Sequence, residues 1–252
     1  GNYHLQAGER VVQVIQRLMA GEVVKKQVIT YPEGFTLDQM AARTAANTVG
    51  TAADFAIKAV PEKYPQYSYL AVLAKGRTLE GYLFPDTYDV QAGDTPRDLI
   101  QRMVANFDTK VTPQLRSEIE HSRRTLDQVV IMASILEREV IRDEDMAVVS
   151  GILWKRLDQG IGLSADATIR YALKKWDGSL TADDLAVDSP YNTRRYRGLP
   201  AGPISNPGLR ALLAAIRPTA SDYYYYLSTP TGETVFAKTN DEHNANKAKY
   251  LK

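Results

Sequence analysis

The feature that most constrains the fold is a strand–turn–helix pattern that occurs twice, the second copy starting 85 positions after the first. Each copy has a short strand-like segment, a Gly turn and an amphipathic stretch with Ile at its centre. The copies cover residues 3–20 and 88–105, and a looser third copy covers 28–41. Units this small cannot bury their apolar faces alone, so we expect them to pack together. The pattern leaves open whether they bind a ligand or are only a reused structural element.

The second half of the chain has a different character, with long predicted helices and a final β-hairpin. Thr125 and Gln128 fit a capping box that begins a helix running from 126 to about 141. Asn206 is placed as the N-cap of a helix that has Pro207 at its first position and continues through 209–216. Two strand-like segments around the turn at 229–232 predict a hairpin. The fold class is therefore α+β, with strand–turn–helix units first and a mainly helical domain after them.

Composition and charge exclude several classes of protein. The 31 basic and 30 acidic side chains leave a formal net charge of +1, with no basic block, which is not typical of a nucleic-acid binder. The chain has no cysteine, which excludes disulfides and thiolate metal sites. Its three histidines are scattered, so neither a metal nor another cofactor is expected. No apolar run in these residues reaches the ~20 residues that a membrane span needs.

The most informative helix is the one that carries Glu137. On a helical wheel this residue projects from the apolar side, where burial would raise the pKa of a carboxyl and keep it protonated, as a general acid must be. Ala133 and Ser134, one turn away, would leave room for a substrate. The alternative is an ion pair between Glu137 and an Arg of another helix. Glu139 points to nearly the opposite side, so the two carboxyls do not form a pair on one face.

Three other segments have compositions that are compatible with a ligand site. Residues 79–88 combine aromatic side chains with acidic ones, typical of a sugar cleft or of a buried aromatic turn. The Gly- and Pro-rich stretch 189–208 predicts a stiff, shaped loop, and ordered loops of this length are usually functional. In the third segment, 163–171, Asp166 fits a helix cap and Thr168 could face a ligand.

Taken together, these motifs resemble the endolytic murein transglycosylases of the YceG-like family. The resemblance extends over nearly the whole chain and rests on four ordered motifs: LEGYLFPDTY at 79–88, ASILERE at 133–139, SPYNT at 189–193 and GLPAGPISNPG at 198–208. It implies a LysM-like glycan-binding region over 1–110, with 79–88 along the catalytic cleft, and a catalytic domain over 111–252.

The resemblance also implies the reaction and the residues that perform it. The expected reaction is cleavage of the MurNAc-β-1,4-GlcNAc bond of nascent peptidoglycan strands during cell-wall assembly, leaving a 1,6-anhydro-MurNAc end. The family's catalytic glutamate is placed at Glu137, which would act first as acid and then as base, without a metal or cofactor. The residues expected to bind the substrate are Glu80, Tyr82, Ser134, Asp166, Thr168, Tyr191, Asn192, Thr193 and Asn206.

Location and partners follow from the same resemblance. It implies the extracytoplasmic face of the bacterial cell membrane, a membrane anchor that precedes these residues, and peptidoglycan synthases of the elongation or division machinery as partners. The chain departs from the family's usual LQSDPTV motif, with Ser164 in place of Gln and Ala167 in place of Pro, which puts glycan contacts there in doubt.

Two other functions stay open at this point. One is a peptidoglycan hydrolase that uses two carboxylates, Glu137 with either Glu80 or Asp166. The other is a glycan-binding scaffold without catalytic activity.

Overall fold

Helices dominate the computed structural model, which describes residues 7–20 and 27–251. No helix among these residues is both long and apolar enough to cross a membrane. In chain order the elements are α1 (Val11–Ala20), β1 (Gln27–Thr30), α2 (Leu37–Ala46), α3 (Ala52–Lys58), a short 3-10 turn (Pro61–Lys63), α4 (Ser68–Ala71), β2 (Thr87–Val90), α5 (Pro96–Lys110), α6 (Pro113–His121), α7 (Leu126–Glu139), α8 (Asp143–Asp158), α9 (Asp166–Leu173), α10 (Ala182–Leu185), α11 (Leu209–Ile216), β3 (Tyr225–Ser228), β4 (Thr234–Ala237) and α12 (Asn240–Tyr250).

The predicted strand–turn–helix units meet through their strands. β1 and β2 pair antiparallel, with Gln27 opposite Val90 and Thr30 opposite Thr87. These strands belong to the third and second copies of the repeat, and α2 and α5 follow them as the predicted helices. In the first copy, residues 3–6 lie outside the described residues, and α1 buries no side chain. The α+β class is confirmed, and the finer LysM-like description stays a prediction.

α7 is the central helix of the molecule. The predicted capping box at its start is present, since Thr125 and Gln128 bond each other's backbone amides. All side chains from Val129 to Leu136 are buried, and the helix packs against α6, α8, α9 and α11. It ends at Glu139 because Val140 adopts an extended conformation. Over this buried stretch the helix has no solvent-facing stripe, so only its two ends are accessible.

The hydrophobic core continues across residue 110, the predicted domain boundary. Gly81, in the first half, shows this most clearly. It has a φ of +89°, and a Cβ there would lie 2.5 Å from Pro203 and 2.7 Å from Val130. Only glycine allows this backbone to approach α7 so closely. Residues 79–84 therefore pack directly against residues from beyond position 110.

The predicted C-terminal hairpin is present as β3 and β4, with Tyr225 opposite Ala237. α12 packs on it, and Ser228 Oγ donates a 3.4 Å hydrogen bond to the carbonyl of Glu139. The hairpin thus lies beside the C-terminal end of α7. The predicted N-cap of α11 was wrong, since this helix is capped by Gly208 and begins at Leu209.

Candidate active site

A polar cleft of about 610 Å³ opens at the C-terminal end of α7. Its walls come from the end of α7, residues 163–167, α9, the β3 strand and α12. Within the described part of the chain, the charged side chains that line it are Arg138, Glu139, Arg156, Asp166, Arg170, Arg194 and Lys247. Elements distant in sequence therefore converge on the last turn of the central helix.

Glu139 lies on the wall of this cleft and is half-buried. Burial raises the pKa of its carboxyl, although the amide of Ala167 donates a 3.0 Å hydrogen bond to Oε1 and the Tyr226 hydroxyl donates another. Its position at the negative end of the helix dipole also disfavours the anion. A carboxyl that holds its proton while facing a cleft can act as a general acid.

The segment that faces Glu139 is fixed by two buried threonines. Thr193 Oγ1 accepts a 3.0 Å hydrogen bond from the amide of Ala165, and Thr168 Oγ1 donates a 2.7 Å bond to the carbonyl of the same residue. The two hydroxyls also lie 3.0 Å apart. Thr168 and Thr193 were predicted to bind the substrate, but they are buried, so they instead position the backbone that bonds Glu139.

Asp166 lines the cleft, and its role in substrate binding stays a prediction. Arg194 holds it through two hydrogen bonds of 2.8 and 2.6 Å. Ser164, beside it, has a φ of +55°, a backbone conformation that costs energy for any residue other than glycine. Such conformations are found where the surrounding structure fixes a site, which agrees with a functional cleft here.

Glu137 lies in different surroundings, outside the lining of the cleft. Its side chain is 6 % exposed, and Oε2 accepts a 2.9 Å hydrogen bond from the amide of Gly208. Arg210 contacts the other oxygen at 3.4 Å and also pairs with Glu33 and Asp143. Burial raises the pKa of Glu137 as well. This is the ion pair with an Arg of another helix that the sequence left as the alternative.

Ser134 and the space beside it differ from the prediction. Ala133 and Ser134 are both fully buried. Ser134 Oγ donates to the carbonyl of Ile131 and accepts from the amide of Ile204. Because the helix is enclosed by its neighbours, no room for a substrate exists at this turn, and Ser134 ties α7 to the 198–208 loop.

Three further residues that were predicted to bind the substrate are structural, because their polar atoms already form hydrogen bonds within the protein. Asn206 accepts from the amides of Gly81 and Leu83 and donates to the carbonyl of Phe35 and to Glu80. The fully buried Asn192 likewise bonds four backbone groups, at 185, 187, 194 and 195. Tyr82 is 1 % exposed and donates to Asp127.

Glu80 and Tyr191 line a second cavity of about 280 Å³ rather than the cleft. Glu80 accepts hydrogen bonds from the Leu37 amide, Asn206 and the Tyr171 hydroxyl, and burial raises its pKa to about 8. Tyr171 and Tyr191 pack against each other beside it, with ring centroids 4.9 Å apart and planes tilted by 51°. Residues 79–88 therefore do not line the cleft that holds Glu139. Trp176 borders both cavities.

Several residues of the cleft were missed by sequence reasoning, above all Glu139 and Tyr226. A helical wheel does not identify Glu139 as accessible. Its accessibility depends on where the chain leaves the core, and the periodicity of the helix carries no information about that. Tyr226 comes from a strand 87 positions later, and no spacing links the two. Across residues 7–20 and 27–251, no group of three His, Asp or Glu residues is placed to hold a metal ion.

Fold and cleft together define an α+β protein with a protonatable carboxyl on the wall of a charged groove. The model of the YceG-like family matches residues 1–249, so the chain belongs to that family.

Curated relatives and a solved structure agree with this assignment. A Bacillus subtilis (strain 168) protein named endolytic murein transglycosylase is 34 % identical over 267 residues, which covers 100 % of this chain and 72 % of the relative. A protein of the same name from Streptococcus pneumoniae serotype 2 (strain D39 / NCTC 7466) is 32 % identical, and the chain spans 50 % of its length. The crystal structure of a yceG-like protein from Listeria monocytogenes superposes with a TM-score of 0.80 at 34 % identity, covering 94 % of this chain and 81 % of that one.

Proposed function

We propose that this chain is an endolytic peptidoglycan lytic transglycosylase that cleaves the MurNAc-β-1,4-GlcNAc bond and leaves a 1,6-anhydro-MurNAc end. The names of the curated relatives support the activity. The cleft supports it too, since an open groove rather than a closed pocket suits cleavage within a long strand.

The observation that carries the proposal is Glu139, a carboxyl with a raised pKa on the wall of the cleft. We assign the catalytic acid to Glu139 instead of Glu137. Both carboxyls have raised pKa values, but only Glu139 of the two lines the cleft, whereas Glu137 is enclosed by Gly208 and Arg210. An acid must reach the bond that it protonates, so access decides between them.

In the proposed reaction, protonated Glu139 donates its proton to the glycosidic oxygen as the bond from that oxygen to C1 of MurNAc breaks. The GlcNAc side departs as an alcohol, and C1 passes through an oxocarbenium-like state. The Glu139 carboxylate then accepts the proton of the MurNAc 6-hydroxyl, whose oxygen forms the new bond to C1. Glu139 ends protonated, ready for another cycle. The nucleophile belongs to the substrate and therefore has a high effective concentration.

The Ala167 amide and the Tyr226 hydroxyl would assist the second half of this cycle. Both donate to the Glu139 carboxyl, and both bonds are stronger when it is an anion. They therefore stabilise the carboxylate that exists between the two proton transfers. Burial keeps the resting acid protonated, so the two influences oppose each other and leave the pKa raised only in part.

A hydrolase that uses two carboxylates is the second candidate, now with Asp166 beside Glu139. Asp166 is close enough for its charge to contribute to the raised pKa of Glu139. Its two hydrogen bonds to Arg194, however, restrain it from acting as a base toward water. We therefore favour the transglycosylase.

Mass spectrometry of the products from purified glycan strands tests the proposal. We expect anhydro ends from the wild-type chain and internal cleavage that shortens long strands. Reducing ends would instead establish a hydrolase, and intact strands would leave only a glycan-binding scaffold. Asp166→Asn is the matched variant, since a hydrolase would lose its base and a transglycosylase would keep forming anhydro ends.

We also propose that the strand–turn–helix units of residues 1–110 are a LysM-like region that contributes to glycan binding. The pairing of β1 with β2 supports this, since it joins two of the units into one body. Removing residues 1–26 takes away α1, which buries no side chain, so the remaining fold should persist. We expect weaker sedimentation with purified sacculi, and unchanged sedimentation would make α1 dispensable for binding.

The proposed substrate places the protein on the outer side of the bacterial membrane, alongside the synthases that make nascent strands. Protease treatment of intact spheroplasts tests this location. Degradation of the protein in intact spheroplasts is expected, and full protection would contradict it.

A further inference from the structure

Two arginines on the cleft wall have no acidic partner among the residues that the structure describes. Arg138 makes one long hydrogen bond, 3.4 Å to the carbonyl of Gly34, and Arg170 bonds the carbonyls of Lys175 and Gly178. Among residues 7–20 and 27–251, no carboxylate lies within ion-pair distance of either guanidinium. They are near enough to each other that the charge of Arg170, after burial, helps to lower the pKa of Arg138.

The other two arginines of the cleft contrast with this pair. Arg194 is held by Asp166, and Arg156 donates three hydrogen bonds to the carbonyls of Gly162 and Tyr224. Those guanidiniums are already used for structure. Arg138 and Arg170 keep several N–H donors unused, because each guanidinium carries five.

An aromatic side chain helps to fix the position of Arg138. The Arg138 guanidinium lies over the Trp176 ring, 4.9 Å from its centroid, and Arg138, Arg170 and Trp176 all line the cleft. Arg138 also directly precedes Glu139 on α7. Two like charges held together on a cleft wall repel each other, so an anion between them would relieve that repulsion.

We propose that Arg138 and Arg170 form a binding site for a carboxylate of the glycan substrate, next to the scissile bond. The inference rests on the proposed function, because it is the peptidoglycan strand that would bring the carboxylate. The two carboxyls of the cleft do not pair with these arginines, since Glu139 accepts a hydrogen bond from the Ala167 amide and Asp166 is engaged by Arg194. Arginine is the side chain best suited to bind a carboxylate through two parallel hydrogen bonds.

The carboxylate can come from two parts of peptidoglycan. On a strand without peptides it is the lactyl carboxylate, carried directly by MurNAc. On a strand with peptides the lactyl group is an amide, and the free carboxylates belong to the stem peptide. The chemistry at the arginine pair is the same in both cases, so substrates that differ only in this respect separate the two sources.

The experiment measures KM and kcat for the wild type and for Arg138→Gln, Arg170→Gln and Arg138→Lys on both kinds of strand. Binding of a chito-oligosaccharide, which has no lactyl group, is measured by competition. Arg217→Gln is the control, since Arg217 pairs with Glu118 away from the cleft. Thermal melting of every variant shows that it is folded.

We expect each Gln variant to raise KM about tenfold with little change in kcat, because a charge-assisted hydrogen bond outside the reacting atoms contributes mainly to binding. Arg138→Lys should raise KM less than Arg138→Gln does, since lysine keeps the positive charge but cannot form two parallel hydrogen bonds to a carboxylate. An increase on peptide-free strands identifies the lactyl carboxylate, and an increase on peptide-bearing strands identifies the stem peptide. Chito-oligosaccharide binding should not change.

Two results would overturn the site. Unchanged KM on both kinds of strand would show that the arginines bind no carboxylate. Equal weakening for strands and for the chito-oligosaccharide would show that they only shape the cleft. A wild-type chain that cleaves neither strand would contradict the proposed function instead, so the two failures can be told apart.

Discussion

Glu137 and Glu139 lie two residues apart on the same helix, but their surroundings differ. Burial raises the pKa of both. Glu137 faces Gly208 and the multiply paired Arg210, inside the junction of α7 with α11. Glu139 is on the last turn, where the chain leaves the core, and its carboxyl accepts hydrogen bonds from Tyr226 and the Ala167 amide on the wall of the cleft.

The comparison teaches that a raised pKa does not by itself identify a catalytic acid. A raised pKa only says that the charged form is disfavoured, and a structural carboxyl meets that condition as readily as a catalytic one. What separates the two is access to a cavity and donors that can stabilise the anion once the proton has left. Four predictions test this distinction.

The largest expected effect is on catalysis itself. Glu139→Gln keeps the shape of the side chain and removes the proton, so we expect cleavage to fall by about 10²–10⁴-fold. Glu137→Gln, the matched control two residues away, should keep most of the activity. Rates of strand shortening by both folded variants measure this. The opposite ranking would return the acid to Glu137.

The pH profile sharpens the comparison, because only one of the two carboxyls should set it. Glu139 must be protonated to donate, so activity should fall as pH rises through its raised pKa. The Tyr226 hydroxyl lowers that pKa by bonding the carboxyl, so Tyr226→Phe should move the alkaline limb of kcat/KM upward by up to about one unit. Glu137→Gln should leave the alkaline limb of the pH profile unchanged. An alkaline limb that moves only in Glu137→Gln would contradict the assignment of the acid to Glu139.

A third carboxyl, Glu80, extends the comparison to stability. Its folded pKa is raised to about 8, against an unfolded value of about 4.3. Between these values the folded chain holds a proton that the unfolded chain has released, so stability is full below the window and falls as pH rises through it, by at most about 1.4 kcal/mol per pH unit.

Glu80→Gln should flatten that slope, measured by thermal melting between roughly pH 4 and 9, a range that brackets both pKa values. Glu118→Gln is the control, because Glu118 is on the surface and Arg217 lowers its pKa. Parallel pH slopes for wild type and Glu80→Gln would show that Glu80 is not protonated in the fold.

Much of the fold could be predicted from the sequence where the signal is local. The capping box at Thr125, the C-terminal hairpin and the individual strand–turn–helix units depend on residues near one another in sequence. The site depends on long-range placement. Asn192 and Asn206 carry the polar groups that a sugar site would need, yet the fold uses those groups to fix its own loops.

Glu139 illustrates the limit most clearly. A helical wheel assigns a direction to a side chain, but it does not show which directions are covered by other helices. α7 is buried on every side from Val129 to Leu136, so the apolar face that a wheel assigns to this stretch is not a distinct surface of the molecule. The family motif limits the candidate catalytic acids to the two carboxyls within residues 133–139. The groups that surround each carboxyl in the structure are the basis for choosing between them.

The smallest expected effect is on the stability of the Glu137 cluster. Glu137 shares Arg210 with Glu33 and Asp143, whose charges both add to its raised pKa after burial. Glu137→Gln removes one of several neighbouring anions and keeps an oxygen for the Gly208 amide, so at neutral pH the variant should be at least as stable as wild type.

Arg210→Gln removes the cation that these carboxyls share. Because Arg210 is 44 % exposed, solvent screens the loss, and we expect it to be about 1 kcal/mol or less. That loss should disappear at low pH, once the carboxyls are protonated in both states. Thermal melting across the acid range measures both variants. A Glu137→Gln protein clearly less stable than wild type at neutral pH would mean that the folded state keeps Glu137 charged, and the comparison with Glu139 would then rest on protonation as well as on access.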